Sequence, residues 1–305
     1  MASSPSPTAF VLSGGASLGA IQVGMLRALY EHGIEPDLIV ATSVGAINGA
    51  FIATRPQTVD TAEELGEIWR HVRRSQVFPA SPLSGLLGFL GTRPHLVPDS
   101  GLRRLVAEHL ESRRLEDLPR PLHVVTVDVV TGEELLLSAG PLEEAVIASA
   151  AIPAVLPPVA WGSRKLMDGG VANNTPISHA IALGAREIYI LPTGHACELE
   201  RPPGSALGMA LHALSLLTHS RLIADIELHR HAAKLVVLPP PCPLSIAPID
   251  FAHATELIDR ATRDTQAFLE AGRAELPPIR MRMHRHAPAE VRTGARAPLT
   301  DHATG

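Results

Sequence analysis

Aromatic side chains are scarce here, with two Trp, two Tyr and six Phe in 305 residues, so Leu, Val, Ile and Ala must fill any core. Cysteine is as rare. Cys197 and Cys242 lack metal-ligand spacing and form no disulfide framework, and Cys242 lies in the rigid run Pro239-Pro240-Pro241-Cys242-Pro243. No window holds about 18 uninterrupted apolar residues, so no membrane-spanning helix is expected. Met1 to Thr8 is rich in Ser and Pro and lacks the basic and apolar segments of a secretory leader. A cytoplasmic protein is expected, with transient peripheral contact at a membrane surface. Basic charge is lacking too: a net charge of -5 gives no general attraction to nucleic acid. No H-E-x-x-H or equivalent occurs, and neither a metal nor another cofactor is expected.

What is present reads as an α/β protein. Ala9 to Ser13 is a short apolar run stopped by Gly14-Gly15, as befits a buried strand. Residues 19–31 carry Ile21, Met25, Ala28 and Leu29 on one helical face, and Gly33 follows. A second buried strand over 38–42 runs into an apolar helix over 44–53. This βαβα start implies a parallel sheet. Further helices are expected over 62–74, 102–111, 141–150, 175–183, 205–232 and 254–271. Strands are expected over 122–130 and 134–138, joined as a hairpin at Thr131-Gly132, and over 165–167, 187–191 and 234–238. The chain divides into a flexible N-terminus over 1–8, one domain over 9–276 and a disordered basic tail over 277–305. In that tail Arg280, Arg282, Arg285, Arg292 and Arg296 face only Glu290 and Asp301.

Three elements carry chemistry. The first is Ala41-Thr42-Ser43-Val44-Gly45, between a buried strand and a buried helix. A sharp turn there lifts Ser43 out of the sheet edge, and its crowding demands small residues at Ala41 and Gly45. A helix-capping serine is the plain alternative. The second is Ser13-Gly14-Gly15-Ala16-Ser17-Leu18-Gly19, whose small residues let backbone N–H groups converge on an anion at the positive end of a helix. Gly14, Ala16 and Gly19 also fit a degenerate dinucleotide fingerprint. That fingerprint needs an acid ending the second strand, where Ala41-Thr42-Ser43 stand instead and Asp37 comes too early. The third is Leu166-Met167-Asp168-Gly169-Gly170, an acid leaving a strand into a glycine turn. There Asp168 could take a proton from Ser43, or simply shape a turn.

Taken in order, the glycine loop, the serine elbow and the D-G-G turn resemble the patatin-like phospholipases. VLSGGASLGAIQVGMLRAL, PDLIVATSVGAINGAF, SAAIPAVLPPV and KLMDGGVANNTPISHAIALGA carry the resemblance, which spans residues 9–193 and continues more loosely to Leu238. It implies a three-layer α/β/α fold with a mainly parallel central sheet and no need for metal. It also implies a Ser–Asp dyad of Ser43 and Asp168, with an oxyanion hole from the N–H groups of Gly14, Gly15 and Ala16. The implied activity is hydrolysis of fatty-acyl esters of lipids through an acyl-enzyme. Three positions depart from the family's usual text: Ala16 for a third glycine, Leu18 for a basic residue and Ala41 for the first elbow glycine. The loss of a cation at Leu18 is expected to weaken preference for phosphate-bearing head groups. A catalytically silent lipid- or acyl-binding protein of the same fold is the alternative.

Fifteen histidines raise the question of a Ser-His-Asp triad. His179 is its best candidate and His195 the second, though neither stands in a motif. Of His212, His219, His229 and His231, only His212 and His219 share a helix face, one heptad apart and too distant for one metal. Pro79 to Pro98, where leucines and Phe89 alternate with Gly, Ser and Pro, reads either as a lipid-facing lid or as a packed loop. Oligomeric state is left open.

Overall fold

Every residue of Leu38–Thr42 is buried, and successive strand side chains point to opposite faces, so both faces of the sheet must be covered. The computed structural model describes residues 7–79, 94–110, 113–194, 202–244 and 246–272. In chain order it has β1 (Thr8–Leu12), α1 (Ala20–Glu31), β2 (Leu38–Thr42), α2 (Val44–Ala53), α3 (Val59–His71), α4 (Arg74–Val77) and α5 (Ser100–His109). Then come β3 (Leu122–Asp128), β4 (Glu134–Leu137), α6 (Leu142–Ser149), β5 (Val159–Trp161), β6 (Arg164–Asp168), α7 (Gly170–Asn173) and α8 (Ile177–Ala182). The described chain ends with β7 (Glu187–Leu191), α9 (Ala206–His229), β8 (Lys234–Val237) and α10 (Ala254–Glu270).

The eight strands form one sheet in the order β5-β6-β3-β2-β1-β7-β8, with β4 also paired to β3. β1, β2, β3, β7 and β8 run parallel, while β4, β5 and β6 are antiparallel to their neighbours. The α/β/α expectation and its mainly parallel sheet therefore hold, with an antiparallel extension at one end. Helix α1 packs along α10 and against α3, closing one side of the core.

Boundaries moved where side chains bond the local backbone. β3 stops at Asp128 rather than 130 because its carboxylate takes the N–H groups of Val130 at 2.8 Å and Thr131 at 3.1 Å. α3 starts earlier than expected because the Thr58 side chain caps it by accepting from the Thr61 N–H. α8 begins only after Pro176, and the short helix α7 was not foreseen. Most of Pro79 to Pro98, with the tail over 277–305, His195 and Cys197, lies outside the described residues.

The hydrogen-bond registers place the site. β3 pairs with β2 through Leu122 to Val125, with β6 through Thr126 to Asp128, and with β4 through Val124 to Val127. β4 overlaps both of the others, so β2 and β6 must share the opposite edge of β3, end to end. Thr42 lies opposite Val125 and Asp168 opposite Thr126. The two strands thus run toward each other and stop one register step apart, which brings Ser43 and Asp168 to one point.

Candidate active site

Ser43 holds φ 56° and ψ -128°, a conformation that side chains resist, on the link from β2 to α2. Its N–H donates to Ser149 Oγ at 2.8 Å, and Ser149 donates in turn to the Val125 carbonyl at 2.7 Å. The turn is crowded as expected. A Cβ added to Gly45 would collide with the Leu12 carbonyl oxygen and stand 2.7 Å from that of Ser13. Gly45→Ala is therefore expected to destabilise the fold by about 2 kcal/mol or more, through overpacking against backbone that cannot yield. Thermal melts of the two proteins would measure this, and a difference under about 0.5 kcal/mol would contradict the crowding. Ala41 is fully buried, so the methyl that replaces the usual glycine is accommodated inside the core.

Ser43 Oγ donates to Asp168 Oδ2 at 2.7 Å. The Gly170 N–H donates to Asp168 Oδ1 at 2.7 Å, which fixes the carboxylate from its own turn. Burial raises the Asp168 pKa to about 6, against the lowering by the Ser43 and Gly170 hydrogen bonds. A carboxylate poised there is still ionised at neutral pH yet basic enough to accept a proton. Gly169 passes tightly beneath the Val125 carbonyl.

The glycine loop sits beside Ser43, since a Cβ on Gly14 would lie 2.9 Å from that of Ser43. One of its three expected donors is already committed. The Gly14 N–H donates to the Asn174 carbonyl at 3.2 Å, so Gly14 supports the loop and is not a free donor. Among the described residues, no backbone carbonyl takes the N–H of Gly15 or Ala16. The Gly14 carbonyl is held by Thr193 Oγ1 at 2.7 Å and Asn174 Nδ2 at 3.3 Å. Ala16 occupies φ 51°, which explains why glycine would be at ease at that position. Gly19 leads into α1 under Val44 and Trp69, and its carbonyl accepts from Asn48 Nδ2 at 3.0 Å. Asn48 also bonds Gln22 Oε1 at 2.9 Å and accepts from Trp69 Nε1 at 2.9 Å, so the loop rests on a buried polar chain.

His179 takes no part in this arrangement. Its Nε2 lies 2.6 Å from Glu134 Oε1, which also accepts from Asn173 Nδ2 at 2.8 Å. The Asn173 carbonyl accepts a hydrogen bond from the Thr42 hydroxyl at 2.9 Å, so this group braces the turn after Asp168 against the end of β2. Sequence reasoning missed Ser149, Asn173, Asn174 and Thr193. The Asn173-Asn174 pair after Asp168-Gly169-Gly170 was its one visible sign. Among the described residues no cluster of three metal-ligating side chains occurs.

Two cavities meet at Ser43. One runs between α2, α3 and α5 and is walled by apolar side chains such as Ile47, Leu65, Ile68, Leu105 and Val106. Trp69 and Phe251 both line it, stacked with ring centroids 6.3 Å apart. The other is an open groove holding the Gly14–Ala16 loop, Ser43 and Asp168, with α9 along one wall. Among the described residues no helix is long and apolar enough to cross a membrane.

Residues 10–181 match the family model described as Patatin-like phospholipase. Mouse Patatin-like phospholipase domain-containing protein 7 is 30% identical over 197 residues, covering 63% of this chain and 14% of its own length. Lysophospholipase NTE1 of Mycosarcoma maydis is 26% identical over 193 residues, covering 60% of this chain and 9% of its own. The chain thus aligns with only a small part of these relatives. The crystal structure of VipD from Legionella pneumophila aligns with a TM-score of 0.43 at 14% identity, covering 87% of this chain and 67% of that one.

Proposed function

Because the chain belongs to the patatin-like phospholipase family, we propose that it is a serine acyl hydrolase that cleaves fatty-acyl esters of lipids. The observation that carries this reading is the 2.7 Å hydrogen bond from Ser43 Oγ to a buried carboxylate, at the mouth of an apolar cavity. Asp168 Oδ2 takes the hydroxyl proton as Ser43 Oγ bonds to the ester carbonyl carbon. The N–H groups of Gly15 and Ala16 steady the negative oxygen. The carbon–oxygen bond to the alcohol then breaks, Asp168 returns its proton to the departing oxygen, and an acyl-enzyme remains. Water repeats the sequence, with Asp168 as base, and releases the fatty acid. The strain at Ser43 is the cost of presenting Oγ to the substrate from a fixed position.

The apolar cavity suits the acyl chain and the open groove the alcohol. Hydrolysis of p-nitrophenyl esters from C4 to C16 tests the reading, together with labelling of Ser43 by an active-serine phosphonate. Serine-dependent turnover that rises with chain length is expected. Absence of both turnover and label would leave the silent binder as the better account. Ile68→Trp, which fills the acyl cavity, is expected to lower C16 turnover about tenfold relative to C4. An unchanged C16/C4 ratio would move the acyl chain elsewhere.

A further inference from the structure

The groove beside the dyad is unusual in its charge. Among the described residues lining it, the only Asp, Glu, Lys or Arg is Asp168 itself. The rest of its polar lining comes from the hydroxyl and amide side chains of Ser13, Ser43, Asn174, Thr175, Thr193, Ser215 and Thr218, with the imidazoles of His212 and His219. Between these lie apolar side chains from several elements, Leu18, Ile152, Leu211 and Leu244 among them. Leu18 is only 8% exposed, so the loop position where a cation would reach the groove is packed with hydrocarbon.

The helix above the groove repeats this character independently. From Ala206 to Ser220, α9 contains no Asp, Glu, Lys or Arg, although Met209 and Leu217 on it are exposed, at 48% and 68%. An exposed helix face in water ordinarily carries charge. An anionic group entering such a groove would leave its own hydration, meet no Lys or Arg among the described lining residues, and approach the Asp168 carboxylate. It would oppose the ionised form of the base that the reaction needs.

We propose that this groove is a leaving-group chamber selective for uncharged, amphipathic alcohols, which makes neutral glycerides the preferred substrates over phospholipids. His212 and the neutral hydroxyl and amide groups accept or donate hydrogen bonds to glycerol oxygens, while the leucines receive the remaining acyl chain. This substrate assignment rests on the acyl-hydrolase reading above.

The test compares dioleoylglycerol, dioleoylphosphatidylcholine and dioleoylphosphatidylglycerol, with the same acyl chains, in the same neutral detergent micelles and with the full chain. The expected kcat/KM for dioleoylglycerol is at least tenfold above that for either phospholipid. Leu18→Arg is expected to raise phosphatidylglycerol turnover relative to dioleoylglycerol severalfold. Leu18 is buried and its replacement could unfold the loop, so Val171→Lys provides a second variant. Val171 lines the groove at 47% exposure, where a lysine has room, and the same shift is expected, reduced by added salt. Equal or faster turnover of either phospholipid by the unmodified protein would overturn the assignment. So would cleavage of p-nitrophenyl decanoate that depends on Ser43 but is accompanied by no turnover of dioleoylglycerol. Loss of all Ser43-dependent turnover, by contrast, would overturn the hydrolase reading itself.

Discussion

Ser43→Ala is expected to lower ester hydrolysis by about 10⁴-fold or more, because in the proposed mechanism the Ser43 hydroxyl forms the acyl-enzyme. The loss should come with a folded protein, since Ser43 contributes one small side chain at a buried turn. Two further effects separate this account from simple damage. Removing the hydroxyl takes one hydrogen bond from Asp168 Oδ2, a bond that lowers the carboxyl pKa, so the remaining carboxyl should titrate higher than about 6. Carboxyl carbon NMR of the variant would show it. Ser43→Gly should be equally inactive yet more stable than Ser43→Ala by about 1 kcal/mol. Glycine tolerates φ 56°, and the relief of about 1–3 kcal/mol outweighs its usual entropic cost of about 0.5–1 kcal/mol. Retention of activity within tenfold in either variant would remove Ser43 from the chemistry. The reverse order of stability would mean that the turn is not strained.

Much of this site could be read in the residues, and what could not has a common cause. Buried parallel strands are continuous apolar runs, so β1, β2, β7 and β8 stood out between their turn residues. The hairpin at Thr131-Gly132 was marked by its own chemistry, with Gly132 at φ 71°. β5 escaped notice because it is three residues long, between a proline pair and Gly162, too short for any period to appear. Ser43 and Asp168 were legible because each stands at the end of an apolar strand with a glycine within the next two residues. Their supports were not. Ser149 reaches the Ser43 N–H across 106 residues of chain, and Thr193 reaches Gly14 across 179. Neither position has a local pattern, because the need for a hydroxyl there arises only once the sheet has assembled. The Gly14 N–H was counted as a free donor for the same reason. Nothing near it in sequence reveals that the Asn174 carbonyl arrives to claim it. His179 shows the converse: its place soon after Asp168 attracted attention, but α8 turns it toward Glu134.

Asp168→Asn should combine a loss of activity nearly as large with a gain in stability. Asparagine keeps the shape and can still bond Ser43, but it cannot accept the hydroxyl proton, so turnover should fall about 10³-fold or more. Stability should move the other way. The folded Asp168 pKa is raised from 3.8 to about 6, chiefly by burial, so the folded state binds more protons than the unfolded one between these values. The stability of the unmodified protein therefore declines as pH rises through that window and stays reduced above it. At neutral pH the buried charge costs at most about 3 kcal/mol, from about 1.36 kcal/mol per pH unit, and asparagine avoids that cost. Paired thermal melts should show Asp168→Asn gaining on the unmodified protein between about pH 4 and 6 and holding its lead at pH 8. Over the same range kcat of the unmodified protein should rise with pH to a plateau, as the base ionises. An inactive variant whose lead in stability over the unmodified protein is no larger at pH 8 than at pH 4 would mean that Asp168 bears little buried charge in the folded protein. The acid limb of the rate profile would then belong to another group.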